Sequence, residues 1–198
     1  MLIAMLVSAY LLGSIPFGLL IVKNFCGIDI RSVGSGNIGA TNVLRAAGPK
    51  LAAVVFAMDV VKGLIPTLAA KQLFPGEAWI IVATGMAAIM GHTLSLFLRF
   101  KGGKGVATGL GVIIGLDPRI AGIGFGIWLL IVAITKYISL ASIIAAVSIT
   151  TMMCLFHQHI AYQIVVTFVA AFVIFKHRSN MVRLIQGKEP HIGQKVES

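Results

Sequence analysis

The chain has 198 residues, is 58% hydrophobic and only 11% charged, and carries a formal net charge of +10. With a mean hydropathy of +0.99, a soluble domain could not hide this much apolar surface, so the class is integral membrane protein. In a soluble chain the cationic excess would suggest nucleic acid; here it reads as charge anchoring cytoplasmic loops, some of it free to meet an anionic substrate.

The length allows one domain, residues 1–198. Its first run is apolar from the start and is followed, not preceded, by Lys23. That is the wrong charge order for a cleaved signal peptide, so a retained first span with its amino end outside is expected. Apolar runs between breakers predict seven membrane helices: Leu2–Val22, Leu51–Leu73, Ala78–Leu98, Val106–Leu116, Ile120–Thr135, Ile138–Phe156 and Ile160–Phe175. The fourth is short and ends at Asp117-Pro118. The expected fold is all-α, a polytopic bundle of about seven transmembrane helices with its carboxyl end in the cytoplasm. A five-span bundle, with the short segments merged or demoted, is the alternative.

Seven spans put Lys23, Arg31, Arg45 and Lys50; Arg99, Lys101 and Lys104; Lys136; and Lys176, Arg178, Arg183, Lys188 and Lys195 on the cytoplasmic side, thirteen of the sixteen Lys and Arg residues. That asymmetry sets the orientation. Glycines recur inside the spans, at 109, 111 and 115 and at 122, 124 and 126, for close helix packing or for room for a lipid chain. Cys26 and Cys154 have no metal spacing and read as small packing residues. Gly187–Ser198 reads as an ordinary polar terminus.

Four polar clusters fall on the cytoplasmic side of this scheme. The first, Gly34-Ser35-Gly36-Asn37-Ile38-Gly39, has the spacing of a dinucleotide loop but follows a membrane helix instead of a strand. The mechanism that survives is convergence of backbone N–H groups on an anion. A short helix is expected from near Asn37 to Gly48-Pro49, with Thr41 and Arg45 on one face and Arg45 suited to a bidentate grip on phosphate. The second, Lys101-Gly102-Gly103-Lys104-Gly105, lacks the Ser or Thr of a Walker loop yet places two lysines before a helix N-terminus. His92 lies inside the third span, expected about 10 Å of helix below Arg99. The third and fourth clusters are Lys136–Ser142 and Lys176–Asn180, with Ser142 and Asn180 as candidate phosphate donors. Asp59 and Lys62, one turn apart in the second span, read as a self-neutralising pair.

The six carboxylates, Asp29, Asp59, Glu77, Asp117, Glu189 and Glu197, have no spacing suited to a binuclear metal site or an acid–base dyad, and no His/Cys set has zinc spacing. No metal or other cofactor is expected. A transporter of an organic phosphate would also need intramembrane anion sites, but along both halves of the bundle.

The blocks SIPFG at Ser14–Gly18, DIRSVGSGNIGATNVLR at Asp29–Arg45, GHTLSLFLRFKGGKGVAT at Gly91–Thr108, KYISLAS at Lys136–Ser142 and HRSNMVRLIQGKEP at His177–Pro190 resemble those of the bacterial acyl-phosphate:glycerol-3-phosphate acyltransferases, the PlsY family. The resemblance covers almost the whole chain in order. One departure is that members often carry Pro near Ser95, so the helix beside His92 is expected to differ. The resemblance implies a metal-free enzyme of the bacterial inner membrane, its active site facing the cytoplasm. It would move a fatty acyl group from acyl phosphate to the 1-hydroxyl of glycerol 3-phosphate, giving lysophosphatidic acid and phosphate. Membrane lipid is then its surroundings, and neither nucleic acid nor an obligate protein partner is implied. Carried onto this chain, it implies His92, Lys104, Arg45, Ser35 and Asn180 as catalytic residues and Asn37, Thr41, Gly102, Gly103, Ser142 and His177 as substrate-binding. Arg45, Ser35, His177 and Asn180 are expected to hold the acceptor. Asn37, Thr41, the Gly102 and Gly103 amides, Lys104 and Ser142 are expected to hold the donor. The proton acceptor is either His92 or the donor's own phosphate.

Overall fold

The computed structural model describes residues 1–194; Lys195 and Glu197, counted above among the charges, lie outside the described residues. Among these the regular structure is helical: α1 (Leu2–Ser14), α2 (Phe17–Cys26), α3 (Ala40–Ala47), α4 (Pro49–Leu73), α5 (Ala78–Thr93), α6 (Val106–Leu116), α7 (Pro118–Thr135), α8 (Ile138–Leu155), α9 (Ile160–Lys176) and α10 (Arg178–Ile185). Each of the seven expected apolar runs contains α-helix, though the first breaks at Ile15-Pro16 and the third leaves the α-helix after Thr93. Five stretches are long and apolar enough to cross a membrane: Leu2–Cys26, Pro49–Leu73, Ala78–Leu98, Pro118–Thr135 and Ile138–Leu155. A sixth is the pair α9 and α10, bent by 54°. The exposed surface is greasy, with Val54, Ile65, Leu68, Leu130, Ile134 and Phe168 among the exposed side chains, while Asp59, Lys62, Thr67, Thr84 and His92 are buried. This inversion is what a bilayer solvent selects, since polar groups must find partners inside the bundle. Cys26 and Cys154, expected to pack, are instead exposed.

The first span is broken at Ile15-Pro16, where proline offers no N–H to continue the helix. At the break the Ile15 carbonyl accepts from Lys62 Nζ at 3.1 Å as well as from Phe17 N–H, and the same ammonium lies 2.7 Å from Asp59 Oδ1. The expected Asp59–Lys62 pair therefore forms, and it also mends a backbone break.

α6 explains its own shortness. It runs parallel to α4 in backbone contact: a Cβ on Gly111 would lie 2.0 Å from the Val60 carbonyl oxygen, and one on Gly115 2.7 Å from Thr67 Cγ2. Lys71 Nζ reaches the Gly115 and Leu116 carbonyls, so both helices end at one level. Yet 11 residues make only about 16 Å of helix. The start of α6, and the 101–105 loop before it, thus lie deep along α4, near the level of Asp59.

Candidate active site

The helix carrying His92 ends one residue later, so Arg99 does not stand two turns above it. Ser95 is buried and donates to the Ser14 carbonyl at 2.6 Å. The chain then turns through Arg99 and Phe100, both at positive φ (51° and 62°), and folds back. Gly102 N–H donates to the Thr93 carbonyl at 3.2 Å and Gly103 N–H to the His92 carbonyl at 3.0 Å. These are carbonyls that a helix end leaves unpaired, and inside a membrane they need a protein donor. This corrects the expectation for Gly102 and Gly103: their amides cap α5 and are not free for a phosphate. What the glycines provide is close approach. A Cβ on Gly103 would sit 2.1 Å from His92 Nε2, and one on Gly102 2.0 Å from the His92 carbonyl oxygen.

The 34–39 stretch uses its glycines differently. Gly34 and Gly36 take left-handed φ values of 60° and 67°, which glycine adopts without a Cβ penalty. The resulting loop is wired to Asn42, a residue the sequence reading passed over. Buried Asn42 donates through Nδ2 to the Ile30 and Val33 carbonyls at 3.1 and 2.9 Å, and its Oδ1 accepts from Ser35 N–H at 3.0 Å. Asn37 Oδ1 accepts from Gly39 N–H at 2.9 Å. That local turn delays the helix, so α3 starts at Ala40 instead of near Asn37. Thr41 and Arg45 share its inner face.

One cavity of about 420 Å³ collects these elements. Ser35, Asn37, Thr41, Arg45, His92, Lys104, Ser142, His177 and Asn180 all line it, nine of the eleven expected site residues; Gly102 and Gly103 pack against His92 outside this lining. From this polar end the cavity continues between α4, α5, α6, α7, α8 and α9 along Phe56, Val82, Ile113, Phe125, Ile149 and Val165. The separation of His177 and Val165 along α9 gives the apolar slot a length of about 18 Å. Its far end meets the main hydrophobic core of Ile81, Val82, Val112, Ile113, Ile120, Met153 and Val166. A smaller polar depression, lined by Ser35, Asn37, Lys104, Lys176, Arg178, Ser179, Asn180 and Arg183, adjoins the head.

Three features were not legible as site residues. Glu189 and Pro190 lie in what reads as an ordinary polar terminus. Instead Glu189 is buried and lines the cavity. It accepts from Asn180 Nδ2 at 2.6 Å and from Arg183 Nε at 2.7 Å. The Pro190 carbonyl accepts from Arg45 Nη2 at 3.4 Å. Ile192 N–H donates to the Lys136 carbonyl, and His191 stacks on Tyr137 with ring centroids 4.3 Å apart. The segment places its carboxylate among Lys104, Arg45 and Arg183, an arrangement that only long-range folding reveals. The third feature is Asp59, which also lines the cavity and lies 3.7 Å from His92 Nδ1. It stands behind the imidazole on the side away from Gly103.

Two expected donors turn out to be engaged. Asn180 Oδ1 accepts from Lys104 Nζ while its amide nitrogen serves Glu189, so Asn180 positions Lys104. Ser142 donates its proton to the Ile138 carbonyl at 2.8 Å and accepts from Trp128 Nε1 at 3.2 Å. Burial holds the Lys104 ammonium down at about 8, against the attraction of Glu189 and helped by repulsion from Arg183, Arg45 and Lys176. Burial pushes the Glu189 carboxyl up, but its hydrogen-bonding neighbours, Asn180 first, with Ser139 and Arg183, together with the Arg183 charge outweigh this and leave it below the usual range. The half-buried Arg45 is lowered by burial, with Glu189 opposing. Among the described residues no group of three or more His, Cys, Asp or Glu side chains is placed to hold a metal ion.

Residues 3–187 match the family model described as glycerol-3-phosphate acyltransferase. A curated relative of that name from Desulforamulus reducens is 45% identical over 193 residues, covering 98% of this chain and 96% of the relative. Another from Aquifex aeolicus is 46% identical, covering 93% and 96%. The fold is similar to the crystal structure of PlsY (YgiH), an integral membrane glycerol 3-phosphate acyltransferase, in its glycerol 3-phosphate form. The TM-score is 0.94 at 42% identity, covering 97% of this chain and 96% of that one. The lysophosphatidic acid form of PlsY gives 0.91 at 41% identity.

Proposed function

The chain belongs to the glycerol-3-phosphate acyltransferase family, and we propose that it works as a single catalytic domain transferring a fatty acyl group from acyl phosphate to the 1-hydroxyl of glycerol 3-phosphate. The products are lysophosphatidic acid and phosphate. The observation that carries this reading is one cavity with a cationic head and a long apolar slot. Such a cavity fits an anion with a fatty chain, and its head has room for a second small anion beside it. An organic-phosphate transporter has no use for a slot that is apolar through its far half. The orientation follows the charge asymmetry: amino end outside, carboxyl end and cavity head on the cytoplasmic side of the inner membrane, with α6 reaching from the deep loop to the outer side.

Arg45, Ser35 and His177 hold the acceptor phosphate. Lys104, held in place by Asn180, faces the donor phosphate with Asn37 and Thr41, and the acyl tail lies in the slot. The acceptor oxygen attacks the acyl carbonyl, the bond from the carbonyl carbon to the phosphate oxygen breaks, and inorganic phosphate leaves. Holding hydroxyl and carbonyl in contact supplies much of the acceleration for so reactive an anhydride. Lys104 stabilises the charge gathering on the leaving phosphate. His92, backed by Asp59, takes the hydroxyl proton. No side chain becomes acylated and no metal takes part.

The test uses purified protein in lipid with acyl phosphate, glycerol 3-phosphate and a chelator. Phosphate release that requires the acceptor and survives chelation is expected. Uptake into vesicles without turnover would replace the enzyme with a transporter. His92→Ala should lose about 10²–10⁴ in turnover; a loss below about tenfold at saturation leaves the donor phosphate as the base. Accumulation of labelled acyl-enzyme without acceptor would overturn direct transfer.

A further inference from the structure

α6 contains three glycines, and packing accounts for only two. Gly111 and Gly115 are where the α4 backbone and Thr67 leave no room for a Cβ. A Cβ on Gly109, by contrast, would meet nothing within 4 Å. Nor does conformation require glycine there: Gly109 sits in regular helix, its N–H donating to the Gly105 carbonyl at 2.7 Å. Glycine inside a helix costs about 1 kcal/mol relative to alanine, so the local energetics oppose it. Gly109 does line the cavity, as do Leu110 beside it and Phe56 and Phe125 across it. The two aromatic rings stack with centroids 6.2 Å apart, bridging α4 and α7. Gly109 lies three residues, about 5 Å of helix, beyond Val106, the first residue of α6 after the loop that carries Lys104, where the charged head gives way to the apolar slot.

We propose that Gly109 is a specificity-determining residue of the donor site: its missing side chain keeps open the passage from the head into the slot, and so admits donors with long acyl chains. The inference rests on the acyl-transfer reading above. A bulky side chain at 109 would obstruct the tail a few carbons past the carbonyl and leave the head group's site untouched, so the variant would favour short-chain donors.

The experiment compares kcat/KM for palmitoyl phosphate and butyryl phosphate, with glycerol 3-phosphate as acceptor, in the intact protein and in Gly109→Leu, Gly109→Met and Gly126→Leu. Gly126 is a control: a Cβ there also meets open space, but on α7 outside the cavity lining. Gly109→Leu and Gly109→Met should lower the palmitoyl-to-butyryl ratio at least about tenfold, the factor set by leaving about two methylenes unburied. Gly126→Leu should keep the ratio. Butyryl transfer in each variant shows that its head-group site is assembled. An unchanged ratio in both 109 variants, or equal loss of both donors in both, overturns the proposal with the catalytic reading intact. Failure of the unaltered protein to transfer either acyl group overturns the catalytic reading, and this inference with it.

Discussion

Two glycine-rich stretches, 34–39 and 102–105, look alike on paper and do different physical work. In the first, glycine is required for conformation: Gly34 and Gly36 turn the chain through the left-handed region, and Asn42 ties the turn from beneath. In the second, Gly105 also turns left-handed (φ 85°), but Gly102 and Gly103 are required for closeness, pressed on the end of α5 so that their amides cap it and His92 lies under Gly103. The first loop presents its side chains to the cavity. The second presents one side chain, Lys104, and holds the histidine. Glycine density therefore identifies where a backbone is under constraint, while the kind of constraint depends on what is packed against it.

The contrast can be broken at its strongest point first. Lys104→Met should lower turnover by about 10²–10³, as for loss of a preorganised donor to developing charge, with the thermal midpoint little changed; a fall in the midpoint with turnover preserved would make Lys104 structural. Gly103→Ala puts a Cβ where His92 Nε2 lies and should cost about 10² in turnover through displacement of about an ångström. An alanine variant with unchanged kcat would show that the loop's closeness to His92 is dispensable.

Acidity sharpens the same comparison. Lys104, lowered to about 8 by burial, is charged below that pH and loses its proton as the pH rises through it. The donor KM should then climb by about tenfold per pH unit above about 8. Lys104→Arg, which stays charged, should flatten that rise even if it binds less well. A donor KM independent of pH in this range would remove the ammonium from donor binding.

The smallest effects belong to the first loop's support. Asn42→Ala strands the Ile30 and Val33 carbonyls and the Ser35 amide, and should destabilise the fold by about 1–3 kcal/mol. Gly36→Ala must hold a Cβ at φ +67°, 3.1 Å from the Arg31 carbonyl oxygen, for about 1–2 kcal/mol. Both are read by thermal denaturation in detergent. If Gly36→Ala melts like the unaltered protein, the loop's left-handed turns are not under constraint.

Much of this molecule is written in local composition. Apolar runs and their breakers marked where the apolar helices lie, though five of these stretches, or six with the bent α9–α10 pair, are long enough to span a membrane, and Asp117-Pro118 marked the end of α6, because helix formation and membrane solvation are read residue by residue. The types of the site residues were legible too, since Arg45, His92 and Lys104 are costly in an apolar chain unless they meet partners or ligands. What only the tertiary structure decided is which groups are already spoken for. The Gly102 and Gly103 amides are consumed by α5 and the Ser142 proton by Ile138. Asn180 is shared between Lys104 and Glu189, residues 76 and 9 positions away. Each hydrogen-bonding group has few valences, and whether they are free for a substrate depends on neighbours brought near by packing over distances in sequence that no local pattern spans.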